Sequence, residues 1–150
     1  MILNRQRRIP LAVKPLARFS ERVRRVLRFP EESVTICFVS DPAIARLNRE
    51  FRAKHEPTDV LSFPARQKKT RRAHPPRHGR EARPGDYIGD IVISPETARR
   101  YARRSSRGLA SELRVLILHG MIHLAGYDHE SDEGEMMRLE RRLRRRLGLG

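Results

Sequence analysis

Apolar residues along this chain recur with two periods. Leu16, Phe19, Val23, Val26 and Leu27 stand at helical spacing with arginines between them, which predicts an amphipathic helix ended by Pro30. "SVTICFVS" then reads as a strand, rich in β-branched and aromatic residues and apolar enough on both faces to lie inside a sheet. Helical spacing resumes in "DPAIARLNREF": Asp41 is suited to cap it, Pro42 to its first position, and Ile44, Leu47 and Phe51 to its inner stripe. Arg52 falls near the C-terminal end of that helix. A short strand around Arg8 to Val13 is expected before the first helix, and "TDVLSFP" and "YIGDIVIS" supply two more. Ser94 and Pro95 repeat the cap-then-proline device and start a basic helix that runs through Arg104.

"LASELRVLILHGMIHLAG" is apolar nearly all round, as a helix at the centre of a domain should be, and Gly126 is its expected stop. From Asp132 onward, acids come first and arginines last, matching the helix dipole, with Met136, Leu139, Leu143 and Leu147 as the inner stripe. The stretch 66–86 has no apolar periodicity. From Arg66 to Arg83 it sets eight Lys or Arg against the single acid Glu81, and reads as a mobile basic loop. Three or four strands and about five helices predict an α+β fold over residues 1–150: one domain, with a mixed sheet of about four strands covered by helices.

Charge adds a partner to this picture. Thirty-three Lys and Arg against 18 Asp and Glu give +15 in 150 residues, a field that favours polyanions, with nucleic acid first among them. Genomic base bias is the bland explanation, since all these cations except Lys14, Lys54, Lys68 and Lys69 are arginine. A lone cysteine, Cys37, cannot form an internal disulfide and sits in an apolar run, which suits a reducing cytosol. No run approaches the roughly 18 apolar residues of a membrane span, and "MILNRQRRIP" is not followed by a signal-peptide core. "LAVKPLARFSERVRRVLRF" has the look of an organelle transit peptide, but its spacing suits a first core helix better. A cytoplasmic protein is expected.

The candidate chemistry lies in "HGMIHLAGYDH". His119 and His123, four residues apart on one helix, project from one face and can reach a single ion. A turn after Gly126 can return His129 beneath them, giving three imidazoles and an open fourth position, the mark of a catalytic zinc. The bland reading of any one histidine is a satisfied core residue. Three with a helix stop at the matching place make metal binding the better reading. His55, His74 and His78, in a turn and in the basic loop, have no such spacing. The interval is that of a zinc peptidase, yet Gly120 stands where such an enzyme carries its glutamate base. Gly120 either makes room for a bulky sugar-phosphate or serves close helix packing.

"HGMIHLAGYDH" resembles the His-Gly-x-Leu-His-Leu-x-Gly-Tyr-Asp-His signature of the YbeY family of bacterial endoribonucleases, also described as rRNA maturation factors. "LNREFRAKHEPTDVLSFP" and "GDIVIS" resemble that family's other two recurring stretches, in the same order, so the resemblance spans nearly the whole chain. Ile122 replaces the family's usual Leu, a volume-conserving change. The basic loop is longer and more positive than the usual connection, so its role does not carry over. The resemblance implies a zincin-like fold, one zinc ion on His119, His123 and His129, and Arg52 in the same cleft. It also implies single-stranded RNA as substrate, acted on in ribosomal particles during rRNA maturation.

Three neutral histidines leave zinc's charge uncancelled, and its bound water ionises near pH 7. For phosphodiester cleavage the metal can neutralise a non-bridging oxygen while Arg52 clamps the phosphate with two parallel hydrogen bonds. Away from the resemblance, Arg52 is equally an arginine that stabilises a helix C-terminus. Asp128, Glu130, Asp132 and Glu133 can give a base or an outer bond to a ligand histidine, although Asp132 and Glu133 suit helix capping better. The arginine-rich segments at Arg99 to Arg104 and Arg138 to Arg146 can follow an RNA backbone, or simply be solvated faces. With 5% aromatic residues and no Trp, base-specific stacking is weakly supported. Two rivals stand beside the nuclease: a metallopeptidase with a displaced base such as Glu130, and a non-catalytic ribosome-assembly factor whose metal is structural.

Overall fold

Alternation in "SVTICFVS" places Val34, Ile36 and Phe38 on one face of a strand and Cys37 and Val39 on the other, and both sets find a helix layer. A computed structural model describes residues 1–52, 58–65, 83–127 and 133–149. Along these the chain forms β1 (Ile2–Asn4), α1 (Val13–Val26), β2 (Val34–Phe38), α2 (Asp41–Arg52) and β3 (Val60–Pro64), then β4 (Gly89–Ile93), α3 (Pro95–Arg104), α4 (Leu109–Leu124) and α5 (Glu135–Arg146). The mixed sheet runs β1-β2-β4-β3. β1, β2 and β4 are parallel, with Ile2 opposite Ile36 and Ile36 opposite Ile91, while β3 lies antiparallel on β4 with Ser62 opposite Ile91. The predicted internal position of "SVTICFVS" and the α+β class hold.

The first strand lies elsewhere than expected. Pro10 has no N–H to give a ladder, and Gln6 closes the chain around it by bonding both the amide and the carbonyl of Ile9 at 2.9 Å. The pairing segment is therefore Ile2–Asn4, while 8–12 leads into α1 without a strand. α1 stops at Val26, short of Pro30. Arg28 takes a left-handed turn (φ 57°), and the Phe29 amide bonds the Arg24 carbonyl at 3.0 Å.

One sheet face carries the main core. Leu16, Phe19 and Val23 of α1, Leu113, Leu116, Ile117, Leu118, Met121 and Ile122 of α4, and Met136 and Leu143 of α5 enclose Ile36, Phe38, Ile91 and Ile93. Each such side chain, fully buried, stabilises the fold by roughly 1.5–3 kcal/mol. The other face is covered by α2 through Ile44, with Val39, Leu61 and Val92. Phe51, expected in the inner stripe, is 64% exposed and meets Phe63 edge-on at 5.3 Å; the turn it should fill is occupied by buried Asn48. Cys37 lies half-buried on this face, where burial pushes its thiol pKa up, as for an unreactive cysteine.

Asp41 does not cap α2. Ser40 does, its Oγ accepting the Ala43 amide at 3.3 Å. The Asp41 carboxylate instead accepts from Ser94 Oγ, from Thr97 Oγ1 at 2.6 Å and from Arg100 at 2.8 Å, while Glu96 accepts the Asp41 amide at 3.2 Å. Two helix N-termini thus face each other, each meeting a carboxylate rooted in the other helix. Ser94 also caps α3 as predicted, with Pro95 in its first turn.

α4 is apolar around its circumference because α1, α3 and α5 flank it while β3 and β4 lie beneath. It packs tightly on the sheet at Gly120, where an added Cβ would stand 3.0 Å from two carbons of the Ile91 side chain. Ser62 Oγ donates to the Gly120 carbonyl at 3.3 Å at the same crossing.

Two outcomes are expected. In Gly120→Ala the helix gains about 1 kcal/mol of propensity but overpacks fully buried Ile91 at about 1–3 kcal/mol, so urea denaturation should show net loss. Adding Ile91→Val should return part of it, and strict additivity would refute the contact. For Asp41, burial raises the pKa, but the hydrogen bonds from Ser94, Thr97 and Arg100 together lower it below the ordinary carboxylate value. A depressed folded pKa contributes stability above the unfolded value, near 3.9, that is lost as pH falls through the folded one. The stability gap between wild type and Asp41→Asn should accordingly be full at pH 6 and shrink below about pH 4.

Candidate active site

α4 carries His119 and His123 in its last turns, and the helix then stops where the sequence says it should. The Gly126 amide bonds the His123 carbonyl at 2.9 Å and the Tyr127 amide reaches Ile122 at 3.4 Å, around a left-handed Gly126 (φ 101°). The two imidazoles meet edge to face, centroids 4.7 Å apart, and their Nε2 atoms converge to 3.1 Å. At 3.1 Å the two nitrogens are within hydrogen-bond distance of each other, and a few tenths of an ångström of opening would bring them to the roughly 3.3–3.4 Å of two ligands on one tetrahedral zinc ion.

The remaining sequence candidates divide. His129, Asp128, Glu130 and Asp132 lie outside the described residues, as do His55, His74, His78 and the basic segment 66–82. Arg52 closes α2, with its side chain outside the described set. Among the described residues no cluster of three metal-ligating side chains occurs. Glu133 does not cap α5: the N-cap is Gly134 (φ 89°), and Glu133 contributes a backbone carbonyl to Arg138 at 3.3 Å. Gly120 faces Ile91 of the sheet, so close packing accounts for it and the sugar-phosphate reading does not.

The sequence reading missed Glu140. Its Oε1 lies 3.2 Å from His119 Nδ1, and Arg144 approaches the same oxygen at 3.7 Å. With a proton on Nδ1 held by this carboxylate, His119 presents the Nε2 lone pair to the site. The signal was available: Met136, Glu140 and Leu143 fall at i, i+4 and i+7, which puts a carboxylate on the buried stripe of α5. Asp59, at the head of β3, was missed as well. Desolvation raises its carboxyl pKa against the opposing pull of the Asp59 and Val60 amides and of nearby His119. A cleft of about 310 Å³ joins these groups, lined by Asp59, His119, Glu140 and Arg144 over an apolar floor of Val115 and Leu116. Among the described residues, then, two imidazoles converge through their Nε2 atoms, and Glu140 holds the opposite nitrogen of one of them.

No helix of the described residues is long and apolar enough to cross a membrane. The family model described as endoribonuclease YbeY matches residues 2–148. A relative named endoribonuclease YbeY from Geobacter metallireducens is 36% identical over 140 residues, 93% of this chain and 87% of the relative. Another so named, from Koribacter versatilis, is 38% identical over 149 residues, 99% of this chain and 86% of its own. The solution structure of TM1509 from Thermotoga maritima is similar over 98% of this chain and 89% of that one, with a TM-score of 0.58 and 25% identity. A family match over residues 2–148, with relatives 36% and 38% identical over 93% and 99% of its length, shows that the chain belongs to the YbeY family of endoribonucleases, hydrolases that act on RNA.

Proposed function

We propose that His119, His123 and His129 hold one zinc ion, and that Arg52 binds the phosphate at which single-stranded RNA is cut. The observation that carries this reading is the 3.1 Å convergence of the His119 and His123 Nε2 atoms, with the far nitrogen of His119 engaged by Glu140. A zinc ion bound there supplies a Lewis acid beside a phosphodiester. The chain's own groups do the rest. Glu140 orients His119 and keeps its proton on Nδ1, and Arg144 in turn draws Glu140 into line. The guanidinium of Arg52 neutralises the phosphate through two parallel N–H···O bonds and holds it for in-line attack.

Single-strand preference follows from a cleft whose floor is a helix flank, which an unstacked strand can enter and a duplex cannot. The proposed substrate is rRNA within ribosomal particles of the cytoplasm, where the assembled particle presents the strand to be cut. A +15 chain with few aromatic residues suits that setting, because charge gives attachment without choosing a base sequence.

Labelled single-stranded and duplex RNA, incubated with the protein before and after chelation, test the reading. Cleavage of the single strand should vanish on chelation and return with zinc, and Arg52→Ala should lower kcat by about 10²–10³-fold. A chelated protein, or a His123→Ala variant, that still cuts at the wild-type rate would sink it. Glu140→Ala should weaken zinc binding by about 10–100-fold in competition with a chromophoric chelator, and Glu140→Gln, which keeps an acceptor, should weaken it less. Equal zinc affinity in all three proteins would remove Glu140 from the site.

A further inference from the structure

We propose that one face of α5, formed by Arg141, Arg144 and Arg145, is a track that leads single-stranded RNA into the histidine cleft. The proposal rests on the cleft being the site of cleavage. Beside that cleft lies a second opening of about 390 Å³, lined by Met137, Glu140, Arg141, Arg144 and Arg145. Glu140 and Arg144 line both openings, so the two are continuous along α5.

Arg144 is the joint between them. Its side chain is 30% exposed, its guanidinium stands 3.7 Å from Glu140, and its buried Nε has no hydrogen-bond partner. With Glu140 at 3.7 Å, beyond hydrogen-bond distance, the exposed part of this guanidinium can donate to a phosphate at the mouth of the cleft. Arg141 and Arg145, four residues apart, are exposed on one helical face, with Arg144 on its flank. Met137, 52% exposed, adds an apolar ledge among them against which a base can lie. From Met137 to Arg145 the helix advances about 12 Å, enough for a short run of backbone.

The bland explanation is that arginines in a last turn stabilise the helix dipole. That accounts for Arg144, Arg145 and Arg146. It accounts neither for Arg141, which lies a turn earlier, nor for the place of Arg144 in the lining of both openings. Like charges at i, i+3 and i+4 repel, so a polyanion laid along this face relieves a cost that solvent alone leaves in place. RNA is favoured over an acidic protein because the track ends at the cleft that reads as the cleavage site.

Arg141→Ala with Arg145→Ala removes the track and keeps Arg144, which touches Glu140. The zinc-loaded variant should show a KM for a 20-nucleotide strand raised roughly tenfold with kcat much less affected. On 2′-O-methyl single strands the dependence of log affinity on log salt should be shallower by about 1.4, since two phosphates are no longer neutralised by arginine. The wild-type advantage in affinity should therefore shrink about sevenfold between 50 and 200 mM salt. Arg18→Ala with Arg22→Ala removes the same charge from α1, which lines neither opening. It should change affinity less than twofold.

Equal losses in the two double variants, as diffuse net charge would give, overturn the track. So does an α5 variant that keeps wild-type RNA affinity and salt slope while losing retention on polyglutamate, which would make the face a protein-docking surface. Failure of the cleavage-site reading is distinguishable: His123→Ala would then cut normally while the α5 variant still bound RNA poorly.

Discussion

The seating of α4 on the sheet at Gly120 sets the rest of the site. With no Cβ between helix and sheet, the backbone comes down onto Ile91, and the Ser62 hydroxyl reaches the Gly120 carbonyl at the same crossing. Contact at that point removes freedom of rotation about the helix axis. Successive residues advance by about 100°, so once Gly120 faces the sheet, the flank carrying His119 and His123 is fixed toward β3 and α5. The 3.1 Å approach of the two Nε2 atoms thus depends on a glycine that touches neither ring. It also explains why a glycine stands next to His119: a side chain there would drive into Ile91.

Local charge around the histidines opposes the charge of the whole molecule. The chain carries +15, yet the acids Asp59 and Glu140 are what stand beside His119, and Arg144 stands behind Glu140. This ordering suits a cation held at the centre and an anion approaching from outside. In the proposed function the carboxylates offset the charge of the divalent ion, and the arginines meet the phosphates of the strand. A uniform basic surface would attract RNA equally well from a distance, but it would not put a metal and a phosphate side by side.

Much of this was legible in the sequence, and the misses share a cause. Elements with strong periodicity, the Ser94 cap, the Gly126 stop and the His119/His123 pair all depend on neighbours within a few residues, which a sequence displays directly. Asp41 reads as a cap by the same local logic, but its carboxylate is taken by Ser94, Thr97 and Arg100, more than fifty residues away. Phe51 has the right spacing for an inner stripe, yet the small core on this face is built from Ile44, Val39, Leu61 and Val92, and Phe51 at the last turn of α2 stays 64% exposed. Gly120 left two readings open because only the sheet beneath it, contributed by Ile91, decides between them. In each case the deciding partner is distant in sequence.

Glu140 differs, because its position was readable and its company hid it. Within "MMRLERRLRRR" it is one acid among arginines, and charge runs of that kind usually mark a solvated face. Periodicity separates the two populations: Met136, Leu143 and Leu147 point inward with Glu140, while Arg141 and Arg145 point out. A carboxylate turned inward needs a partner, since burying it alone would cost more than the helix gains by packing, and the imidazole of His119 is that partner. α5 therefore borders the site from both sides, bracing His119 with its inner edge and carrying Arg141 and Arg145 along the outer one. The same twelve residues close the core through Met136 and Leu143. That shared duty ties the orientation of His119 to the packing of the last helix, so changes in the core contacts of α5 should be felt at the histidines before they are felt in the fold.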